Sequence, residues 1–338
     1  MKENEEEVNM LLAGDVGGTK TFIGLYDAGG PRSRRHVVRP RQVAKCEYST
    51  QNHSGVVPML RAFLAQPALA NVPIGAATIG VAGPVLGPSA RLTNVPWLVD
   101  SHEIASALGL ERVGLLNDLE SMAWGTLAID DAETLTLQEG DPAAAGNIAV
   151  IAAGTGLGEA FLHFVNRRFE PYASEAGHAD FAARNEDEIA LLRDLIGRYG
   201  RAEIEQVLSG RGIVNLHRVT HPAGCPIVEN YDHEAPPRIA ESALGRHCEL
   251  CVKAMDLFVD AYGAEAGNLV LRTVATGGVY VAGGIAPRIL PALTNGRFLA
   301  AFGSKAPFEA MLAKVPVRVV LNPELGLLGA AVHAATHL

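Results

Sequence analysis

An apolar run that ends in a glycine turn and resumes at once as a second β-like run occurs twice in this chain. That repetition limits the folds open to it. The first case is LLAGDVGGTKT, residues 11–21. Met10 to Ala13 is apolar, Gly14-Asp15-Val16-Gly17-Gly18-Thr19 follows, and Thr21 to Tyr26 is β-like. The second is NIAVIAAGTGLGEAFLHF, residues 147–164, where a buried-type strand ends in Gly154-Thr155-Gly156-Leu157-Gly158. Each reads as strand, turn, strand. In the first turn, Gly17 and Gly18 are expected to supply positive φ and to leave room for a close ligand. Successive turn N–H groups then point into one concavity and can hold a phosphate, with the Thr19 hydroxyl as a further donor. Asp15 puts one carboxylate beside that concavity, where Mg²⁺ can sit through water. An ordinary tight hairpin fits either turn taken singly. A Walker loop does not: the G-x-x-x-x-G-K-[ST] spacing is absent, and a strand follows where that motif has a helix. Two such units point to two related domains, each offering a turn to one polyphosphate.

The bulk numbers fit that plan. At 338 residues the chain exceeds one small core, and two domains are expected. Acidic residues number 37 against 28 basic ones, for a net charge of −9. No basic stripe appears, so nucleic acid is not expected as a partner. No apolar run reaches membrane-spanning length without Gly or Pro interruption, so no membrane partner is expected. Four cysteines in this length suit a reducing compartment, and a cytoplasmic location is expected. The acidic start MKENEEEVN reads as a frayed tail, the opposite of a signal peptide's basic n-region.

Between the glycine turns the chain alternates strands and helices, which is α/β layering. VVPMLRAFLAQ (56–66) has helical apolar spacing, and IGAATIGVAGPV (74–85) is a buried strand running into a Gly-Pro turn. Thr93 and Asn94 are either hydroxyl-reading side chains or a plain turn before Pro96. Asp100 and Glu103 have capping-box spacing ahead of a helix through Leu108. The short strand Val113–Leu116 runs straight into Asn117-Asp118 and a helical pattern to Leu127. Asp118 thus falls at a strand's C-terminal end, where open α/β sheets place ligands. It either caps the helix or serves as a general base, kept ionised by the helix N-terminus. PYASEAGHADF (171–181) carries Glu175 and His178 around a turn at Gly177. A carboxylate and an imidazole there can bind vicinal hydroxyls. A plain surface turn and a zinc site are the alternatives, though no cysteine cluster follows His178. Glu205 sits near the end of a further helix and alone reads as a solvated residue. Cys248 and Cys251 form a C-x-x-C with His247 adjacent, which cannot by itself fill a tetrahedral site; at i, i+3 in a helix they read as two buried small residues. In VYVAGGIAPRIL (279–290), Gly283 and Gly284 follow a buried strand and can form a flat shelf for a nucleoside.

Taken together, these stretches resemble the actin-like sugar kinases, and among them the bacterial glucokinases, over residues 10 to 335. GDVGGTKT and AAGTGLG are similar to the two phosphate motifs, GGVYVAGGIAPR to the adenosine motif, and LLND and PELGLLGAA to the connecting segments. The resemblance implies an α/β, two-domain actin-like ATPase (ribonuclease H-like) fold with a ligand cleft between domains. Residues 1–127 plus 319–338 would form the small domain and 128–318 the large one. It implies ATP with Mg²⁺, phosphates on Gly14, Asp15, Val16, Gly17, Gly18 and Thr19 and on Gly154, Thr155 and Gly156, and the base of ATP near Gly283 and Gly284. Asp118 would be the base toward the 6-hydroxyl of glucose. Asn117, Glu175, His178 and Glu205 would hold the sugar's other hydroxyls. Lys20 is either a phosphate-side charge or a solvent-facing residue. Ala176 stands where the nearest glucokinases often carry Gly. The cysteine-rich zinc motif of the related repressor/kinase family is missing, which implies a zinc-free branch. A homodimer is the expected assembly. A kinase for mannose, fructose or N-acetylmannosamine, a sugar-sensing regulator and a chaperone-like ATPase are the competing readings.

Overall fold

The structure is a computed structural model that describes residues 10–31, 37–92, 95–141 and 146–336. Thr93, Asn94 and the acidic start lie outside the described residues. The chain divides into two compact units: unit 1 holds the residues up to Asp131 together with those from Glu324 onward, and unit 2 holds Ala132–Pro323.

Unit 1 is built on β1 (Met10–Val16), β2 (Lys20–Asp27), β3 (Arg41–Ser49), α1 (Val56–Leu64), β4 (Ile74–Val81), the short strands β5 (Val85–Leu86), β6 (Ser89–Arg91) and β7 (Leu98–Asp100), α2 (Ser101–Leu108), β8 (Val113–Asn117) and α3 (Asp118–Thr126). Its main sheet runs β3-β2-β1-β4-β8. The first three strands are antiparallel neighbours, and β4 and β8 continue parallel to β1. The apolar run of β1 has no polar alternation because both faces are covered. Leu12 and Val16 pack with Met59, Leu60 and Phe63 of α1. Leu11 and Ala13 point the other way, onto Leu327, Ala330 and Ala331 of the C-terminal helix. As the capping-box spacing predicted, the Asp100 side chain caps α2, accepting from the N–H groups of His102 and Glu103.

Unit 2 repeats the strand plan. It contains β9 (Thr134–Gln138), β10 (Ile148–Ala153), β11 (Leu157–Val165), β12 (Arg168–Ser174), α4 (Glu186–Tyr199), α5 (Gly210–Thr220), α6 (Ala235–Leu244), α7 (Glu249–Thr273), β13 (Gly278–Ala282), α8 (Leu290–Leu293), α9 (Arg297–Gly303), α10 (Glu309–Leu312) and β14 (Val317–Val320). The sheet order is β12-β11-β10-β13-β14-β9. Again three antiparallel strands are followed by two parallel ones, with β9 added antiparallel at the edge. The chain then returns to unit 1 as α11 (Leu325–Thr336). The small residues of α11 let it lie against α3: a Cβ on Gly329 would come 1.6 Å from the Ser121 carbonyl oxygen, and one on Gly125 would come 2.4 Å from that of Leu325.

Tyr262 of α7 is fully buried and ties two strand ends together. Its hydroxyl accepts from the Ala153 N–H at 3.3 Å and lies 3.2 Å from the Ala282 carbonyl oxygen. Removing that hydroxyl leaves a buried donor and a buried acceptor unpaired. Tyr262→Phe is therefore expected to destabilise the protein by about 1–3 kcal/mol, read as a lower midpoint in urea unfolding with an unchanged slope.

Candidate active site

In unit 1 the first glycine turn joins β1 to β2. Gly17 donates to the Lys20 carbonyl at 3.0 Å. The positive φ expected of Gly17 is not found. Glycine is required there for a different reason: a Cβ would sit 2.9 Å from the Lys20 oxygen. Thr50 braces the turn from β3's end. Its hydroxyl donates to the Gly17 carbonyl at 2.8 Å, and its N–H donates to the Thr19 carbonyl at 2.9 Å. The Thr19 side of the turn is left exposed. Lys20 is exposed and pairs with Glu47 at 2.7 Å, so it takes the solvent-facing alternative.

Asp15 and Asp118 belong to the same neighbourhood of unit 1. Asp15 is the last polar residue of β1, opposite Gly80 in the parallel register with β4. A Cβ on Gly326, near the start of α11, would press on its carboxylate at 2.8 Å. Asp118 opens α3 directly after β8. Burial, and then the negative charge of Asp118, push the Asp15 carboxyl up to about 7. This is the two-carboxylate arrangement in which the second charge resists forming. A hard cation suits it, since Mg²⁺ takes one or two carboxylates and keeps several waters. The donor chemistry therefore fits the group expected at Asp15.

The raised Asp15 carboxyl has a consequence for stability. The unfolded chain releases this proton near the ordinary aspartate value of 3.8 and the folded chain at about 7. Between those values the folded state holds more protons, so this group's contribution falls as pH rises through the window. Asp15→Asn is expected to raise the melting temperature at pH 8 more than at pH 4, while impairing the use of ATP. An equal shift at both pH values would show that the carboxylate is not strained.

Asn117, not Asp118, caps α3. Its Oδ1 accepts from Leu119 N–H at 2.9 Å and from Glu120 N–H at 3.4 Å. Its Nδ2 donates to the Gly83 carbonyl at 3.1 Å. The alternative in which Asp118 is merely the cap therefore passes to its neighbour. Asp118 Oδ1 accepts the neighbouring Leu119 N–H at 2.9 Å.

In unit 2 the second glycine turn, between β10 and β11, is surrounded by the other site candidates. Glu205 lies in a short 3₁₀ turn, Ile204–Gln206, ahead of α5 and not near a helix end. Its carboxylate accepts the Leu157 N–H at 3.1 Å, and a Cβ on Gly156 would meet it at 2.5 Å. So Glu205 is packed against the turn and is no solvated residue. Gly154 accepts from the N–H of Gly210 at 2.9 Å, which sets the turn beside the N-terminus of α5, a favourable place for negative charge. Gly283 has φ of 84°, and a Cβ there would meet the Ala153 oxygen at 2.3 Å. Gly284 faces open space. The shelf expected for a nucleoside is thus next to the end of β10.

Glu175 precedes and His178 ends a 3₁₀ turn, Ala176–His178, and both are exposed. The turn is held close to β11, because a Cβ on Gly177 would come 2.1 Å from the Leu157 oxygen. His178 Nδ1 lies 3.3 Å from Glu203 Oε2. One ligand atom each from His178, Glu203 and Glu205 falls within 4.8 Å of the others. Glu203 has no counterpart in the sequence reading. Its signal was its place two residues before Glu205, which extended backbone and a 3₁₀ turn convert into adjacency. Arg201 closes the cluster from outside, donating to the His178 carbonyl at 2.6 Å and to Asp180 at 2.7 Å. Two carboxylates and an imidazole supply acceptors with at least one donor, the complement of sugar hydroxyls.

The glucokinase family model matches residues 12–337. This chain belongs to the glucokinase family. The glucokinase of Nostoc sp. is 36% identical to it, over 97% of this chain and 99% of that protein. That of Synechocystis sp. is also 36% identical, over 96% of this chain and 98% of the relative. Among solved structures, the glucokinase from an Antarctic psychrotroph superposes with a TM-score of 0.85 at 26% identity, covering 98% of this chain and all of that one. The chain's fold is α/β with two compact units, as the doubled strand–glycine–strand pattern suggested.

Proposed function

We propose that this chain transfers the γ-phosphoryl group of ATP to the 6-hydroxyl of D-glucose, giving glucose 6-phosphate and ADP. Near-full-length similarity to curated glucokinases carries the reading. Asp118, at a strand's carboxyl end, takes the 6-hydroxyl proton as O6 bonds to the γ-phosphorus and the bond to the ADP oxygen breaks. A loose phosphoryl-transfer transition state asks mainly for positioning and a proton acceptor. Asn117, Glu175, His178 and Glu205 hold the remaining hydroxyls, and the position of Glu203 beside His178 adds it to that group. The Gly14–Thr19 and Gly154–Gly156 turns bind phosphate oxygens through N–H groups, and Gly283 and Gly284 accommodate the nucleoside. Mg²⁺ held through water by Asp15 would neutralise phosphate charge. A homodimer, checked by sedimentation, and a cytoplasmic setting complete the proposal. Among the described residues no helix is long and apolar enough to cross a membrane.

The test is ADP release by the purified chain with and without glucose, and with mannose, fructose or N-acetylmannosamine in its place. Release that needs a sugar and is fastest with glucose supports the reading. Sugar-independent release would favour a chaperone-like ATPase instead.

A further inference from the structure

The C-x-x-C pair does not stand alone in the fold. Cys248 is the N-cap of α7 and half-buried, and Cys251 is buried in its first turn. The histidine that reaches them is His221, not the adjacent His247. Its Nε2 lies 3.4 Å from Cys248 Sγ and 3.8 Å from Cys251 Sγ. His217, one helical turn earlier, stacks on His221 with ring centroids 3.8 Å apart. Cys225 follows in the next loop. One ligand atom each from His217, His221, Cys225 and Cys251 lies within 4.8 Å of the other three.

We propose that His217, His221, Cys225 and Cys251 form a structural Zn²⁺ site in unit 2. Three observations support it. Both histidines are buried, and each has one ring nitrogen engaged as an orienting bond would engage it: His217 Nδ1 with the Tyr231 hydroxyl at 3.0 Å, and His221 Nδ1 with the His217 carbonyl at 2.9 Å. Metal-bound imidazoles are positioned in this way through their second nitrogen. The other nitrogen of His217, Nε2, is buried without a partner, an expensive state that a metal bond would relieve. Finally, bond lengths of about 2.0–2.3 Å put tetrahedral ligand atoms about 3.3–3.8 Å apart, so the cluster, already within 4.8 Å, needs to contract by at most about 1.5 Å. Two thiolates and two imidazoles favour zinc over Mg²⁺ or Ca²⁺, and the burial of three of the four leaves the closed setting of a structural site. The zinc-free expectation rested on the missing cysteine-rich motif of the repressor/kinase family, and the present cluster uses other residues, so the proposal departs from that expectation. The metal would fasten α5, whose first residue holds the second glycine turn, to α7.

The whole chain, purified without chelator from zinc-supplemented cells, is expected to carry stoichiometric zinc. Replacement by Co²⁺ should give thiolate-to-metal charge transfer and the intense visible bands of tetrahedral cobalt. Zinc should also protect thiols from a thiol reagent and raise the melting temperature. Cys225→Ser, at a half-buried loop position, and Cys251→Ser should lose the metal; Cys248→Ser should keep it. Absence of zinc and of the cobalt spectrum would overturn the site. So would full zinc content in Cys225→Ser and Cys251→Ser, or loss of zinc in Cys248→Ser alone. A Cys248–Cys251 disulfide in place of metal would also overturn it.

Discussion

Asp118→Asn lowers kcat by about 10²-fold or more while the protein stays folded, if Asp118 is the base. The expectation of intact folding has a local reason. Asn117 caps α3, so the substitution leaves the cap in place. An asparagine oxygen can still accept the Leu119 N–H that Asp118 accepts at 2.9 Å. What is lost is the proton acceptor. Because the sugar's other hydroxyls are assigned to other side chains, KM for glucose should change little, which separates a role in the transition state from one in binding. The substitution also removes a negative charge that helps push the Asp15 carboxyl up to about 7. The variant should therefore be slightly more stable than the parent at neutral pH. A near-normal kcat with the expected stability gain would remove Asp118 from the catalytic role. Loss of both activity and stability would mean that the residue is structural.

Gly329→Ala should have the largest effect on stability. A Cβ at this position would lie 1.6 Å from the Ser121 carbonyl oxygen, a backbone atom of α3 that no side-chain rotation can move. The two helices would have to separate, which strains the bond from the Ser121 hydroxyl to the Gly326 carbonyl, now 2.8 Å. It would also loosen Leu327, Ala330 and Ala331 from β1. Overpacking of this kind costs about 3 kcal/mol or more, or roughly 6–12 °C in melting temperature. Gly197→Ala is the control. Gly197 lies in α4 with nothing within 4 Å of an added Cβ, so there alanine should stabilise by about 0.5–1 kcal/mol. If the two variants melted alike, close approach of α3 and α11 would not be what requires glycine.

The chain order of strands and helices was legible because it rests on local signals. The apolar runs of β1 and β10, the Asp100 cap and the amphipathic α1 each need only neighbouring residues to be recognised. Asp118 was legible for the same reason, since strand end and helix start meet at adjacent residues. The first glycine turn was placed correctly with the wrong physical reason for Gly17, because φ depends on where the Lys20 carbonyl falls across the turn. Glu205 was misread as lying near a helix end, and only packing set its carboxylate on Gly156.

Residue order by itself thus determined the α/β elements and the two glycine turns, since periodicity and motif spacing are properties of short segments, and near-full-length similarity determined the family. Tertiary structure alone decided which distant side chains share an environment: Asp15 with Asp118, Glu203 with His178, and His217 and His221 with Cys225 and Cys251. Those pairings depend on how α5 meets α7 and how β1 lies beside β4 and α11. Contacts between residues tens of positions apart leave no periodic trace in one sequence, because burial and charge are fixed only when the elements pack.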